Sequence, residues 1–149
     1  MSVPQIALNT KDIRTEAITR IIAAGTAVGA NVFNSKATPA QRDKLPAASV
    51  YTPSQQAEAD YHVNLVFNRT VDLQIDVTTA SSVNAQDDVD DIMHEIRTAL
   101  FEDPTWLTLY YNIVGYTETS EVDDDGDKLM AFGSLTITLQ RLEQYNAGL

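Results

Sequence analysis

The residues able to do chemistry are few and scattered. The chain of 149 residues holds two histidines, His62 and His94, and no cysteine. That removes disulfides, thiolate metal sites, iron–sulfur clusters and a cysteine nucleophile. A histidine-only zinc site takes about three imidazoles, more than the chain supplies. His94 has Met93 and Glu95 as neighbours, and His62 lies on the polar side of an alternating segment. Catalysis at either would require the fold to deliver a nucleophile or a carboxylate, so both read as surface or boundary residues. The densest carboxylate run is Glu121-Val122-Asp123-Asp124-Asp125-Gly126-Asp127. An EF-hand places oxygen ligands at its first, third, fifth and twelfth positions around a glycine at the sixth. Counted from Glu121, the residues Asp123, Asp125 and Gly126 fall in place, but the twelfth is Phe132. The run therefore reads as a charged hairpin tip. Asp72 and Asp76 share the polar face of one segment, a common spacing for exposed carboxylates. The motifs G-x-S-x-G, G-x-x-x-x-G-K-[ST] and G-x-G-x-x-G are absent. No enzymatic activity, cofactor or metal is expected.

The elements that must position any site follow from periodicity. Ile13, Ala17, Ile21 and Ala24 line one face of a helix from Thr10 to about Ala24, capped by Asn9 or Thr10 and stopped by Gly25 and Gly29. Val32-Phe33 reads as a short strand, followed by a polar connection from Asn34 to Lys44. Leu45 to Thr52 reads as the next strand, with Pro46 at its start or on a sheet edge. A polar stretch, Pro53 to Asp60, separates it from a long alternation. There Tyr61, Val63, Leu65 and Phe67, then Val71, Leu73, Ile75 and Val77, face one way. This alternation fits one bent strand or two. A second helix runs from about Ala85 to Phe101, with Asn84 as its cap. Asp87, Asp88, Asp90 and Asp91 complement its positive end, and Val89, Ile92, Met93, Ile96, Ala99 and Leu100 form its apolar stripe. Leu107, Leu109, Tyr111 and Ile113, then Leu135, Ile137 and Leu139, make the strands of a hairpin around the acidic tip. Trp106, Tyr110, Tyr111 and Tyr116 cluster near its start, able to fill a core or anchor an interface. The order predicts a single α+β domain over 1–149: two helices packed on a mixed, largely antiparallel sheet with a long C-terminal hairpin.

Composition narrows the classes further. Hydrophobic residues make up 44% and charged residues 21% of the chain, ordinary for a globular protein. A chain of this length buries roughly 68–70% of its unfolded surface without staples. The formal net charge of −11 argues against a general nucleic-acid binder, which carries a basic footprint. No apolar run approaches the roughly 20 residues that span a bilayer. The start, MSVPQIALNTKD, lacks a secretory signal pattern, so a soluble protein made inside the cell is expected, and the sequon at Asn68-Arg69-Thr70 carries no weight. The charge is uneven. Residues 1–44 hold six basic side chains against three acids, giving +3, and residues 45–149 hold four against 18, giving −14. Such asymmetry suits a surface that meets a complementary one, a second copy included.

The ordered phrases carry a resemblance. A helix of the form IRTEAITRIIAAGTAVGANVFNSKATP leads into a strand and a polar loop. DKLPAASVYTPSQQAEA, VDLQIDVTTAS and the acid-initiated helix QDDVDDIMHEIRTALFEDPTW follow, and a hairpin with an acidic turn closes the chain. Together they resemble the tail terminator family of long-tailed bacteriophages (minor tail protein U-like). The resemblance implies a virion protein, made in the host cytoplasm and placed at the head-proximal end of the tail. Copies form a ring, typically of six, on the finished tail tube, end its polymerisation and offer the head or a neck protein a joining surface. DNA passes through the lumen without specific binding, and no membrane is involved. On that view the loop Asn34 to Lys44 and the hairpin tip lie on interaction faces or in the lumen. Lys36, Arg42 or Lys44 then contacts an acidic neighbour, and Asp123, Asp124, Asp125 and Asp127 form the charged tip. Two alternatives remain open: another neck or tail-completion protein, and a small ligand-binding or enzymatic α+β domain, which a deep pocket with convergent polar groups would favour.

Overall fold

The structure is a computed structural model that describes residues 5–34, 45–61, 65–81, 84–103, 105–106, 112–123 and 129–145. Its elements are β1 (Gln5–Ile6), α1 (Thr10–Ala23), β2 (Val32–Phe33), β3 (Ala47–Tyr61), β4 (Val66–Ser81), α2 (Ala85–Phe101), β5 (Asn112–Asp123) and β6 (Leu129–Gln144). The six strands form one sheet in the order β1-β6-β4-β3-β2, with β5 also paired to β6. The long strands pair antiparallel, and only the two-residue strands β1 and β2 pair parallel. The architecture is the α+β one that the periodicities require.

α1 begins where Asn9 Oδ1 accepts the Lys11 N–H at 3.1 Å, which satisfies an amide that the first turn leaves unpaired. It ends at Gly25, whose φ of +66° lies in the left-handed region that a side chain resists. Ile13, Ala17 and Ile21 are buried, whereas Ala24, expected on the same stripe, is the exposed C-cap residue. α2 spans the expected residues. Asn84 stands at its N-cap, but its side chain makes no capping bond. Its carbonyl accepts the Asp88 N–H at 2.9 Å, and Asp87 and Asp88 supply negative charge to the first turn. Val89, Ile92, Met93, Ile96 and Leu100 form the buried stripe, and Ala99 is only partly covered.

Both helices cover one face of the sheet. Val71, Leu73, Ile75 and Val77 of β4, Ala131, Leu135, Ile137 and Leu139 of β6, and Ala48 and Val50 of β3 meet the helix stripes there in one core. Alternation in a strand sends every second residue to this face. Gly133 sits on it too, and α2 comes so close that a Cβ at that position would lie 2.7 Å from Met93 Sδ.

Two expectations about strands are corrected. Pro53 to Asp60 is not a separating loop, since β3 runs through it to Tyr61, paired with β4 from Ser54↔Asp72 to Tyr61↔Val66. A register shift between Tyr51 and Ser54 holds Pro53, a residue that cannot donate to the ladder. The alternation from Tyr61 to Phe67 does not belong to one strand either. β3 ends at Tyr61 and β4 begins at Val66, with Leu65 at φ +48° between them and its carbonyl accepting the Tyr145 N–H at 3.1 Å. From Val66 to Ser81 the second alternation is one continuous strand, unbroken through Arg69.

Candidate functional site

Polar side chains gather in several places among the described residues, and strand parity accounts for the first two. The first lies on the sheet face opposite the helices. Asp76 there accepts from the Tyr51 hydroxyl at 2.6 Å, the Ser134 hydroxyl at 2.7 Å and the Gln74 amide at 3.0 Å, while Asp72 accepts from Thr138 at 3.1 Å. Tyr51, Asp76 and Ser134 converge because Gln74 and Asp76 alternate with core residues and Ser134 is the Cα partner of Asp76. Partial burial, and after it the bond to Asp76, pushes the Tyr51 phenol up to about 12. The phenol therefore stays neutral and donating at physiological pH. An open groove of about 380 Å³ runs past Asp76 and Ser134 to Thr119, Glu121 and Phe132. Chemically this group is a closed hydrogen-bond network. The Asp76 carboxylate is occupied by three donors, and a hydroxyl that donates to it is held as a donor, not activated as a nucleophile.

The second grouping is buried beneath the start of α1. Glu143 is fully buried; its Oε1 accepts from Arg69 Nη1 at 3.0 Å, and its Oε2 accepts the Leu8 N–H at 2.9 Å and lies 3.4 Å from Arg141 Nε. Arg69 also donates to the Leu8 carbonyl, to the Thr10 hydroxyl and to Gln55 Oε1. Arg69 and Arg141 are Cα partners on neighbouring strands, and Gln5 pairs with Glu143. This arrangement pins β1 and the first turn of α1 to the end of the sheet. A shared buried carboxylate between two guanidiniums is a structural clamp with its charges already engaged.

The third grouping is a charge division between the two sides of the sheet. On the α1 side, Arg14 bonds Asn34 Oδ1 and Thr52 Oγ1, both at 2.9 Å, and has no carboxylate within salt-bridge distance among the described residues. Lys11 is exposed beside it. On the far side, Asp90 of α2 and Glu118 of β5 face outward, with Glu118 bound to Arg97 at 2.8 Å and Gln86 bridging Asp90 and Ser120. Glu121 and Asp123 of β5, whose Cα partners are Phe132 and Met130, lie on the opposite sheet face from Glu118.

Of the residues singled out in the sequence, Asp123 ends β5, exposed and opposite Met130. Lys36, Arg42, Lys44, Asp124, Asp125 and Asp127 lie outside the described residues, as do His62, Tyr110 and Tyr111. His94 is exposed on α2, in a recess of about 260 Å³ with Thr26, Glu95 and Glu102. Trp106 belongs to the core, its indole N–H donating to the Leu100 carbonyl at 3.3 Å. Tyr116 is 51% exposed and packs on Phe101 with ring centroids 5.5 Å apart. The two described members of the aromatic cluster thus divide between core and surface. Among the described residues no three histidine or acidic side chains are placed to hold a metal ion, and no helix is long and apolar enough to cross a membrane. The clamp of Arg69, Glu143 and Arg141 and the cation at Arg14 have no motif that announces them. Compared with protein-family models and with curated proteins, the chain matches none.

Proposed function

We propose that the chain is a structural virion protein that caps a phage tail tube as a ring of copies, ending tube growth and offering a head-joining surface. The observation that carries this is the order in which the tail-terminator-like phrases build one sheet. The N-terminal helix, the strand after L-P-A, the long alternating strand, the acid-initiated helix and the final hairpin are α1, β3, β4, α2 and β5–β6. All the long strands join one sheet, with both helices on one face and the hydrogen-bond network around Asp76 on the other. Physically, a cap needs a face that matches the tube and another that refuses a further tube ring, and a closed ring supplies both from identical copies. Glu121 and Asp123, on the sheet face away from the helices, suit a passage for DNA, since like charge prevents the phosphate contacts that drive non-specific binding. Light scattering of the purified chain over a wide concentration range, with electron micrographs of the same sample, tests the ring. The expected result is a closed particle near six times the 16.4 kDa chain mass. Open, concentration-dependent polymers without closure would overturn it.

A further inference from the structure

We infer that copies of this chain join head to tail, the free edge of β5 in one copy pairing with the free edge of β3 in the next. The contact deepens the capping proposal and rests on it for the closed ring, but its residues are read from two sheet edges and the helices beside them.

Three observations define the contact. First, among the described residues each strand has an open side. β5 pairs only with β6. On β3 the outer edge is covered by β2 only at Ala48 and Ser49, which leaves the stretch from Thr52 onward unpaired on that side. Such an edge is a template for another strand. Monomers guard theirs with lysine, proline or inward charge; β3 has one such residue at its bulge, Pro53, whereas the first half of β5 has none and exposes Ile113, Val114 and Tyr116, with Val114 60% accessible. A bulge between Ile113 and Gly115 leaves the stretch from Gly115 to Asp123 as the regular part of that edge.

Second, the strand directions agree. β3 is antiparallel to β4, β4 to β6 and β6 to β5, so β3 and β5 of one copy run in opposite directions. Rotation about an axis along the strands keeps those directions. A neighbouring copy's β3 therefore meets β5 antiparallel, with an alternation of direction that runs on from copy to copy. The β3 edge from residue 52 to 61 is about 34 Å long at ~3.4 Å per residue, and the twelve residues of β5 are long enough to match it.

Third, the helix layers beside the two edges carry opposite charge. Arg14 lies over Thr52 with no carboxylate partner among the described residues, and Lys11 is exposed one turn before it. Beside β5 on the same sheet face stand Glu118, whose Cα partner is the core residue Leu135, and Asp90, linked through Gln86 to Ser120. An antiparallel alignment that sets Asn112 near the Tyr61 end brings Glu118 toward Gln55 and Thr52. Arg14 of one copy thus reaches Glu118 of the next, which would then bridge Arg14 and Arg97 as Glu143 bridges Arg69 and Arg141. The sheet edge alone, about 34 Å by ~10 Å, covers roughly 700 Å² over both partners. That is below the about 1,200 Å² of a stable pair. The helix flanks add to it, and closure, which makes the last contact intramolecular, favours complete rings over free dimers.

The test compares the wild type with Arg14→Glu, Glu118→Arg and the double exchange, by light scattering and sedimentation at low and high salt. Thermal melts confirm that each is folded, and Lys11→Glu, an exposed site, serves as a second probe of the basic side. Each single exchange is expected to weaken self-association about tenfold, Lys11→Glu to weaken it less, and the double exchange to restore it. High salt should weaken the wild type. A closed oligomer that all variants form alike would overturn the edge contact and leave the capping ring standing. Loss with Glu118→Arg but none with Arg14→Glu would overturn it in favour of a two-fold β5–β5 pairing. A wild type that stays monomeric at every concentration would overturn it and would count against a preformed ring as well.

Discussion

Gly133 is where the sheet and α2 approach most closely, and replacing it with alanine tests how the core is packed. An added Cβ would stand 2.7 Å from Met93 Sδ, 2.9 Å from Met93 Cγ and 3.1 Å from Val89 Cγ2. Ordinary non-bonded separations are about 3.5–4.0 Å, so the overlap with the sulfur is near 1 Å, and Met93 is buried with little room to retreat. Overpacking of this kind costs about 1–3 kcal/mol. Alanine recovers about 0.4–1 kcal/mol by restricting the unfolded chain. The net is a destabilisation of about 0.5–2 kcal/mol, a fall of roughly 2–8 °C in Tm for a chain of this size. Thermal unfolding followed by circular dichroism measures it, and a cycle with Met93→Ala isolates the cause. Met93→Ala alone opens a cavity and costs about 2–5 kcal/mol, but in that background the Gly133 Cβ has space. Gly133→Ala should then become neutral or stabilising, a coupling of about 1–2 kcal/mol. A Gly133→Ala protein that melts higher than wild type, or the same cost in both backgrounds, would refute the packing.

Two further outcomes follow from the polar groups. Glu143→Gln leaves the buried Arg141 and the partly buried Arg69 without their shared carboxylate, which should cost about 3–5 kcal/mol and speed hydrogen exchange at the Leu8 amide, and a loss under about 1 kcal/mol would contradict the clamp. Tyr51 should ionise near pH 12 in a spectrophotometric titration, above the ordinary tyrosine value of 10, and Asp76→Asn should bring it part of the way back. Because folding raises this pKa, its contribution to stability is intact below pH 10 and lost as pH climbs through about 12; all tyrosines titrating together near 10 would rule it out.

What the sequence made legible was set by how local each cause is. α1 was readable because a cap, a glycine stop and a 3.6-residue stripe are written in adjacent residues, α2 because its stripe and the acids of its first turn are, and the core strands because Val71 to Val77 and Leu135 to Leu139 alternate over a single buried face. The outer half of β3 was not, since Ser54 to Ala59 are exposed and polar or small on both faces, and only their ladder to β4 makes them a strand. The turn at Leu65 hid inside an alternation whose parity runs on in the sequence from Tyr61 to Phe67. Among polar groups, the carboxylates Asp72 and Asp76 could be placed on one face, but their partners Tyr51, Ser134 and Thr138 come from other strands through register. The clamp was invisible for the same reason, because nothing near Arg69 indicates that Arg141 lies opposite it or that Glu143 is buried between them.

The capping claim is tested most directly at a tube end. If the chain is a cap, its cognate tail-tube protein, polymerised with and without it, would be measured for tube length, and the chain located by gold label in electron micrographs. Capping predicts tubes that stop growing when the chain is added, with label at one end only. Tubes that reach the same length with the chain present, and carry no label at either end, would contradict it.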